Sequence, residues 1–331
     1  MNMLIIVNSL LFTFSLFGIL LVIILYPLFI WILYLVKYKK PIKVSSFNPT
    51  ISLMTVVHNA QDLIVEKINN LLSLNYPSDN VEIIIFSDGS TDKTENNVKP
   101  FINEKIHYFS STAHEGKNKA INETINNCSG EIIIFSDADA YLDSDAIKYL
   151  TKYFVDPEIG GVCGQRIICK DNKKLKKAQS DYIKFDSLIK KLESQTGNIS
   201  SNDGKLYAFK KDLFKPIHPA VTDDLYMCLS IIKQNYRFIF EPEAKAFIKI
   251  PSRNPVHEIQ RRRRIVCRSL RGILLNKDIL NPFKYGFFSL SLFINKIMRR
   301  FLPVFLLSMF FSSCVLSFYN HLVGIVLFLQ I

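Results

Sequence analysis

The sequence predicts an α/β fold: a mostly parallel sheet with helices on both faces, flanked by transmembrane helices. Short apolar runs rich in β-branched residues alternate with helical patterns from Ile51 onward, which is typical of βαβ units. Several of these runs end in acidic residues, as in EIIIFSDADA at residues 131–140. Residues 1–36 and 301–331 contain no charged side chain, which separates them from the central region.

The two uncharged stretches are each long enough to cross a bilayer, which needs about 20 apolar residues. The first run is too long for a secretory signal peptide and no basic residue precedes it, so we predict a transmembrane helix. We expect a second span from Phe301 to about Tyr319, followed by an incomplete C-terminal region or an interfacial hairpin. Basic clusters at residues 37–43 and 296–300 flank the spans. The positive-inside rule then predicts a multi-pass protein of the cell membrane, with a cytoplasmic central domain and the N-terminus outside.

The formal net charge of the chain is +12, which suits an anionic surface. The basic residues lie near the spans and in the arginine run 261–264, without the interleaved aromatic residues on which nucleic-acid bases stack. We therefore expect contact with membrane lipid and none with nucleic acid. The six cysteines contain no C-x-x-C pair, so zinc is not expected and cytosolic thiols should be reduced.

The first half of the central region predicts strands and helices in alternation. The expected strands are residues 51–57, 81–86, 106–109 and 132–135. The expected helices are residues 62–74, 91–100 and 117–127. Three of the strands end in His58-Asn59, Asp88-Gly89 and Asp137-Ala138-Asp139. Because the carboxyl ends of parallel strands meet at one edge of a sheet, these residues predict a nucleotide-sized cleft.

The second half is expected to continue the same layers. The expected helices are residues 143–154, 178–193, 222–234 with Thr222 as the cap, and the basic helix 260–275. The expected extended segments are residues 160–168, 206–209, 238–240 and 246–250. Between them we expect a solvated basic run at 170–177 and a polar loop at 197–204. Residues 282–298 are expected to form an interfacial helix on the cytoplasmic leaflet.

Asp137 and Asp139 are the strongest candidates for chemistry. Two carboxylates separated by one residue each raise the pKa of the other unless a cation lies between them. A hard divalent cation such as Mg²⁺ or Mn²⁺, shared with a phosphate oxygen, would remove that cost. The alternative is a helix start at which Asp139 or Asp143 serves as the cap.

Three other groups carry a functional and a structural interpretation. Lys117 follows Gly116 at a helix start without the full P-loop pattern, so it either approaches a phosphate or lies on the surface. Asp223 and Asp224 either favour the dipole of the helix that they open or include a general base with a raised pKa. The arginine run 261–264, read with Gln260, either faces lipid or clamps a pyrophosphate.

These residues fall into an ordered set of short motifs. The set is Val57-His58-Asn59, Asp88-Gly89-Ser90-Thr91-Asp92, Gly116-Lys117, Asp137-Ala138-Asp139, Asn202-Asp203-Gly204, Thr222-Asp223-Asp224, and Gln260 with Arg263. In this order and spacing the chain resembles membrane-bound, inverting family 2 glycosyltransferases with the GT-A (Rossmann-like) fold. That family includes relatives of the cellulose, hyaluronan and poly-N-acetylglucosamine synthases.

The resemblance implies a role for each matched residue. On the donor side, Asn59 and Asp88 would contact the nucleobase and ribose of a UDP-sugar, and Asp137 would bind the ribose or a metal-bound water. Asp139 would bind Mg²⁺ or Mn²⁺, and Lys117 and Arg263 would contact the diphosphate. On the acceptor side these are Asp224 as general base, Asp223 beside it, and Asp203 and Gln260 lining the acceptor. The implied enzyme moves a sugar from a nucleotide-sugar donor to a hydroxyl of a membrane-proximal glycan or lipid acceptor.

Two alternatives remain at this point: a processive polysaccharide synthase, and a non-catalytic membrane scaffold that retains the fold. Ala60 and Arg264 stand where the family pattern has an acidic residue and, in processive synthases, a tryptophan. With so short a membrane region, polymer synthesis would need a partner subunit or a homo-oligomer. The expected organisation is 1–36 as N-terminal transmembrane helix, 37–50 as basic linker, 51–250 as cytosolic GT-A catalytic domain, 251–300 as basic and interfacial helices, and 301–331 as C-terminal transmembrane region.

Overall fold

The structure is a computed structural model that describes residues 3–36, 47–169, 174–249, 255–328 and 330. It comprises two compact units, one of Tyr38–Ile279 and one of Met1–Lys37 together with Leu280–Ile331. The basic cluster expected at residues 37–43 lies outside the described residues, and so does most of the expected linker.

The helices and strands are numbered along the chain. The strands are β1 (Ile51–Val57), β2 (Val81–Asp88), β3 (Ile106–Ser111), β4 (Ile132–Phe135), β5 (Ala140–Leu142), β6 (Ile159–Ile168), β7 (Tyr207–Lys210) and β8 (Arg237–Ile248). The helices are α1 (Met3–Leu20), α2 (Tyr26–Val36), α3 (Ile64–Leu72), α4 (Thr94–Val98), α5 (Lys117–Thr124), α6 (Ala146–Thr151), α7 (Lys174–Thr196), α8 (Asp223–Lys233), α9 (Pro255–Leu275), α10 (Pro282–Tyr285), α11 (Phe287–Leu292), α12 (Leu302–Leu316) and α13 (His321–Phe328).

Within the described residues, one sheet contains the eight strands in the order β3-β2-β1-β4-β7-β6-β8-β5. Strands β1 to β4 are parallel to their neighbours in this group, and β6 is parallel to β8. Strand β7 is antiparallel to both β4 and β6, and β5 is antiparallel to β8. The α/β fold class is confirmed, with parallel pairing in the N-terminal half and mixed pairing beyond β4.

The central strands are buried on both faces, which explains why they read as continuous apolar runs. The four residues of β4 are at most 3% exposed. On α3, Ile64, Ile68 and Leu71 are buried against the same core. Each such side chain stabilises the fold by about 1.5–3 kcal/mol relative to an exposed position. This burial fixes the ends of β1, β2 and β4 relative to one another.

Several expected elements differ from the observed ones. Asp139 is followed by the strand β5, so the interpretation of Asp139 as a helix cap is wrong, and α6 begins only at Ala146. Thr222 precedes α8 in the extended conformation of a cap, but its side chain makes no capping hydrogen bond. The two extended segments expected after α8 are one strand, β8. The basic run at 170–177 is partly the start of α7, and residues 170–173 lie outside the described residues.

The unit formed by the terminal segments contains two helical runs that are long and apolar enough to cross a membrane, Met3–Val36 and Phe287–Leu316. Most apolar side chains of the first run and several of the second are exposed in the structure, which suits contact with lipid and indicates membrane association. Gly18 lets the runs approach, because a Cβ atom there would lie 2.9 Å from the ring of Phe305. The second run begins at Phe287, not at Phe301, so it includes much of the segment expected to form an interfacial helix.

The six cysteines all lie in the described residues, where each is a free thiol. Cys128, Cys163 and Cys228 are buried, and Cys169 and Cys314 are half-buried. Burial raises the pKa of both Cys128 and Cys163 to about 12. Cys267 on α9 is exposed.

Candidate active site

The loops after β1 and β2 are joined to each other at the carboxyl edge of the sheet. Asn59 has a positive φ of 49°, and its Oδ1 accepts a hydrogen bond of 2.8 Å from the backbone N–H of Thr91. Gly89 has a φ of 61°, and a Cβ atom there would lie 2.3 Å from the backbone nitrogen of His114. A residue with a side chain would therefore be both strained and sterically blocked at Gly89.

Asp88 lies at the end of β2 and is 2% exposed. Its two carboxylate oxygens accept hydrogen bonds of 2.9 Å from the backbone N–H groups of Glu115 and Gly116. His114 Nδ1 lies 2.9 Å from Asp88 Oδ2. Gly116 has a φ of 97° and directly precedes α5, which begins with Lys117. Asp88 thus fixes the loop that positions Lys117, and its predicted contact with a nucleoside stays a prediction.

Asp137 and Asp139 follow β4 and are paired with lysines. Asp137 Oδ1 lies 2.9 Å from Lys117 Nζ, and Asp137 Oδ2 lies 3.0 Å from Lys205 Nζ. Asp139 Oδ1 lies 2.6 Å from the same Lys205 Nζ. Burial would raise the pKa of Asp137, but the charges of Lys117 and Lys205 outweigh burial and hold that pKa well below its usual range. Lys205 is not among the residues that the sequence motifs predicted for the site.

Asp223 and Asp224 open α8, and Lys117 connects them to the first pair. Lys117 Nζ lies 2.9 Å from Asp223 Oδ2 as well as 2.9 Å from Asp137 Oδ1. Burial and the negative charge of Asp223 together raise the pKa of Asp224 to about 6, while Lys117 opposes the shift. The side chain of Asn202 holds the backbone here through a hydrogen bond of 3.1 Å to the Asp224 carbonyl oxygen. Burial is thus the largest cause of the raised pKa and crowding by Asp223 the second, and the role of Asp224 as a general base stays a prediction.

Lys67 lies beneath the Asp137–Asp139 segment and is fully buried. Its Nζ donates hydrogen bonds of 2.7 Å to Ser136 Oγ and 2.6 Å to the carbonyl oxygen of Ala140. Burial lowers the pKa of Lys67 to about 7, although the nearby charges of Asp137 and Asp139 oppose the shift. Lys67 therefore anchors both ends of the segment that carries the two aspartates.

The remaining predicted site residues differ in their distance from this cluster, and Asp203 is close enough for its negative charge to help raise the pKa of Asp224. Asp203 is buried, and its Oδ2 lies 3.3 Å from Nε of Arg166, which belongs to β6. Gln260 and Arg263 are exposed on α9, and neither makes a hydrogen bond or ion pair to the aspartates of the cluster. The structure thus brings together Asp88, Lys117, Asp137, Asp139, Asp223 and Asp224, with Asn59 at the neighbouring loop. The roles predicted for Asp203, Gln260 and Arg263 stay predictions.

The sequence of this region matches a known family. The model of the family described as Glycosyl transferase family 2 matches residues 52–217, which is half of the chain. The chain belongs to glycosyl transferase family 2. The matched range contains Asn59, Asp88, Lys117 and Asp139, whereas Asp223 and Asp224 lie just beyond it.

Individual members of glycosyl transferase family 2 are similar over a longer stretch. The chain is 29% identical over 208 residues to a poly-beta-1,6-N-acetyl-D-glucosamine synthase of Staphylococcus epidermidis, which covers 61% of this chain and 50% of that protein. The same-named protein of Staphylococcus aureus is 28% identical over the same length. The chain spans about half the length of the curated relatives it matches.

A solved structure supports the fold of this family 2 glycosyltransferase. It is a mannosyltransferase from Pyrobaculum calidifontis in complex with GDP-Man and Mn²⁺, with a TM-score of 0.73 and 21% sequence identity. The similarity covers 96% of this chain and 88% of that chain. The GT-A-like fold is therefore confirmed.

The aspartates of this family 2 glycosyltransferase fit a divalent metal that is shared with a substrate. Among the described residues, no group of three or more His, Cys, Asp or Glu side chains is arranged to hold a metal ion. Asp137 and Asp139 nevertheless offer hard carboxylate oxygens at a partly exposed edge, and Asp139 is 38% exposed. Mg²⁺ commonly binds through one or two carboxylates together with water and substrate phosphates. The residues present therefore suit a metal bound with a diphosphate rather than a closed protein cage.

Proposed function

We propose that this family 2 glycosyltransferase transfers a sugar from a nucleoside diphosphate sugar to a hydroxyl group of a membrane-proximal glycan or lipid, with inversion at the anomeric carbon. Asp224 is the general base in this proposal. Asp139 and Asp137 hold Mg²⁺ or Mn²⁺, and Lys117 lies at the diphosphate. Asn59 and Asp88 contribute to the nucleoside side, Arg263 to the diphosphate, and Asp203 and Gln260 to the acceptor side.

The chemistry follows from the positions of the charges. Asp224 accepts the proton of the acceptor hydroxyl as its oxygen attacks the anomeric carbon, opposite the bond to the diphosphate. The bond from the anomeric carbon to the phosphate oxygen breaks, and its electron pair leaves with the nucleoside diphosphate. Lys117 stabilises the negative charge that develops on this leaving group. A divalent metal, when bound, supplies further electrostatic stabilisation to the same oxygens.

One observation carries the proposal: Lys117 bridges Asp137 and Asp223 at 2.9 Å each. This ammonium group contacts both aspartate pairs. One pair, Asp137 and Asp139, is suited to binding a cation, and the other includes Asp224, whose carboxyl pKa is raised. The reaction needs the leaving diphosphate on one side of the anomeric carbon and a proton acceptor on the other. In this proposal the Asp137–Asp139 pair would hold the metal at the diphosphate, and Asp224 would accept the proton. The first donor to test is an N-acetylglucosamine nucleotide, because the staphylococcal relatives are named for that sugar.

The membrane arrangement is part of the same proposal. Residues 51–250 form the catalytic domain on the cytoplasmic side, the candidate spans cross the membrane, and the N-terminus lies outside. Residues 37–50 link the first span to the catalytic domain, residues 251–300 provide basic and interfacial helices, and residues 301–331 belong to the C-terminal membrane region. The acceptor would then reach the site from the bilayer surface.

A second candidate is processive polysaccharide synthesis, which the similarity to poly-beta-1,6-N-acetyl-D-glucosamine synthases favours. The chain spans about half the length of those proteins. A partner membrane subunit or a homo-oligomer is part of this second candidate. The length of the product distinguishes this candidate from single sugar transfer.

The test measures donor consumption and product length in membranes that contain the protein. UDP-N-acetylglucosamine, other UDP-sugars and GDP-mannose are supplied with Mn²⁺ or Mg²⁺, and chelator is added in a parallel series. One donor should turn over, and Asp224→Asn should lower its turnover about 100-fold or more because a general base contributes about 10²–10⁴ in rate. Asp212→Asn is the matched control, since Asp212 is exposed outside the cluster. A donor that binds without turnover, or an Asp224→Asn variant that remains active, would contradict the proposal and favour a scaffold.

A further inference from the structure

Lys205 holds a position between the two aspartates that a shared cation would also need. Its Nζ lies 3.0 Å from Asp137 Oδ2 and 2.6 Å from Asp139 Oδ1, so a single ammonium group bridges both carboxylates. Asp137 has Lys117 as a second partner, whereas the ion pair described for Asp139 is with Lys205. The side chain of Lys205 is 20% exposed, which leaves solvent access on one side.

The backbone of Lys205 is fixed, and its side chain is the part able to move. The backbone N–H of Lys205 donates a hydrogen bond of 3.2 Å to Asp203 Oδ1. The backbone carbonyl oxygen of Lys205 accepts a hydrogen bond of 3.1 Å from Ser136 Oγ, which in turn accepts one from buried Lys67. A lysine stem has four rotatable carbon–carbon bonds and a compact charged end. The ammonium group can therefore leave the carboxylates without movement of the loop.

The charges at the site make entry of a metal alone unfavourable. A divalent ion bound by Asp137 and Asp139 would meet the ammonium groups of Lys117 and Lys205 within a few ångströms, and like charges at that separation repel strongly away from bulk water. A diphosphate that arrives with the metal brings negative oxygens to which a lysine can turn. Binding of metal and nucleotide together is therefore favourable, whereas either one alone has to compete with the existing ion pairs.

We propose that Lys205 is an exchangeable counter-cation that occupies the Asp137–Asp139 pair and yields it only when a divalent metal arrives with a nucleoside diphosphate. In this arrangement Lys205 suppresses binding of free metal and couples metal binding to donor binding. The inference rests on the proposed function of the aspartate pair as the metal site, and it adds a regulatory role for one residue of this chain.

The test is Mn²⁺ binding, measured from the electron paramagnetic resonance signal of free Mn²⁺, on the full chain in detergent. Wild type is compared with Lys205→Gln and Lys205→Met, first with Mn²⁺ alone and then with Mn²⁺ plus UDP or GDP. Both variants should bind Mn²⁺ alone about tenfold more tightly, because two charge-assisted contacts no longer have to be broken. The enhancement of Mn²⁺ affinity by the nucleotide should shrink by a similar factor, because displacement of Lys205 no longer contributes to the coupling between the two ligands.

Three controls make the result specific. Lys210→Gln removes a half-buried lysine of the adjoining strand β7, whose Nζ donates to the Pro157 carbonyl oxygen, and should leave Mn²⁺ binding unchanged. Lys205→Arg keeps the charge and should behave like wild type. Adding Asp139→Asn to Lys205→Gln should abolish the gain in affinity, because the freed carboxylate is then missing.

Unchanged or weaker Mn²⁺ binding in the folded Lys205 variants would overturn the inference, as would absence of measurable Mn²⁺ binding to any variant with nucleotide present. Loss of donor turnover in Lys205→Gln with unaltered Mn²⁺ affinity would also overturn it, because Lys205 would then serve the diphosphate alone. The binding measurement needs no sugar transfer. If the wild type turns over donor but the Lys205 variants bind Mn²⁺ no more tightly than the wild type, only this inference is refuted. If the variants bind Mn²⁺ more tightly but the wild type turns over no donor, only the proposed function is refuted.

Discussion

The site contains two closely spaced pairs of aspartates whose electrostatic surroundings are opposite. Asp137 is bracketed by Lys117 and Lys205, which hold its pKa well below the usual range. Asp224 lies beside Asp223 and away from such a bracket, and burial raises its pKa to about 6. The amino acids are the same, so the neighbouring charges decide what each carboxyl group can do. A carboxylate that stays ionised suits a cation, and one that titrates near neutral pH suits proton transfer.

One residue, Lys117, contacts both pairs of aspartates. Lys117 contacts Asp137 and Asp223 at equal distances of 2.9 Å, and burial of Lys117 is offset so strongly by these two charges that its pKa is raised. The position of Lys117 depends in turn on Asp88, which holds the preceding loop by two backbone hydrogen bonds. The ammonium group of Lys117 is thus positioned by residues from three places: the end of β2, the end of β4 and the start of α8.

Removal of Lys117 should break the connection between the pairs and have the largest effect. We expect Lys117→Met to lower kcat/KM at least about 100-fold, because a leaving diphosphate loses a fixed positive charge. The pKa of Asp224 should rise as well, since Lys117 currently opposes its upward shift. Steady-state kinetics across pH measure both effects. Lys119→Met is the matched control, because Lys119 is exposed on the same helix and pairs with Glu115; an equal loss there would contradict the assignment.

The pH dependence should sharpen the contrast between the two pairs. Asp224 must be unprotonated to accept a proton, so kcat/KM should fall about tenfold per pH unit below about pH 6 and level off above it. Asp223→Asn removes a negative neighbour and should move this acidic limb to lower pH, because the ionised form of Asp224 becomes easier to form. Rate profiles from about pH 5 to 8 measure the shift. A limb that stays in place in Asp223→Asn would show that another group controls it.

Loss of the Lys67 anchor should affect the first pair alone and have the smallest effect. Lys67→Met fills the buried slot with a stem of similar length but removes the hydrogen bonds to Ser136 and Ala140. We expect KM for the donor to rise about fivefold, a change of about 1 kcal/mol that matches the net contribution of one or two hydrogen bonds. The acidic limb of the pH profile should not move, because Asp224 is untouched.

Asn202→Ala provides the reciprocal comparison, since Asn202 bonds to the backbone of Asp224 and not to the first pair. It should lower kcat with little change in KM for the donor. The same kinetic change in both variants would mean that the pairs are not separately supported.

The sequence was most informative where chemistry and periodicity agreed. The apolar runs of β1, β2 and β4 each end in the polar residues that form the site, and parallel pairing brings those ends together. Lys67 was missed, although its position between Ile64 and Ile68 on the buried face of α3 is an unusual place for a lysine. Lys205 could not be placed, because β7 pairs antiparallel with β4 in a register that sets Tyr207 opposite Phe135. Continuation of that register brings Lys205 opposite Asp137, and strand direction is not written in the apolar pattern.

The distribution of buried and exposed thiols allows one native cysteine to be labelled selectively for spectroscopy. Buried cysteines react slowly with alkylating reagents, both because reagent access is poor and because a raised pKa leaves little thiolate. Cys267 is exposed on α9, beside the arginine-rich turns of that helix. Brief treatment with a maleimide dye should therefore attach a fluorophore mainly to α9, and its emission in nanodiscs would report the polarity around that helix without any engineered residue.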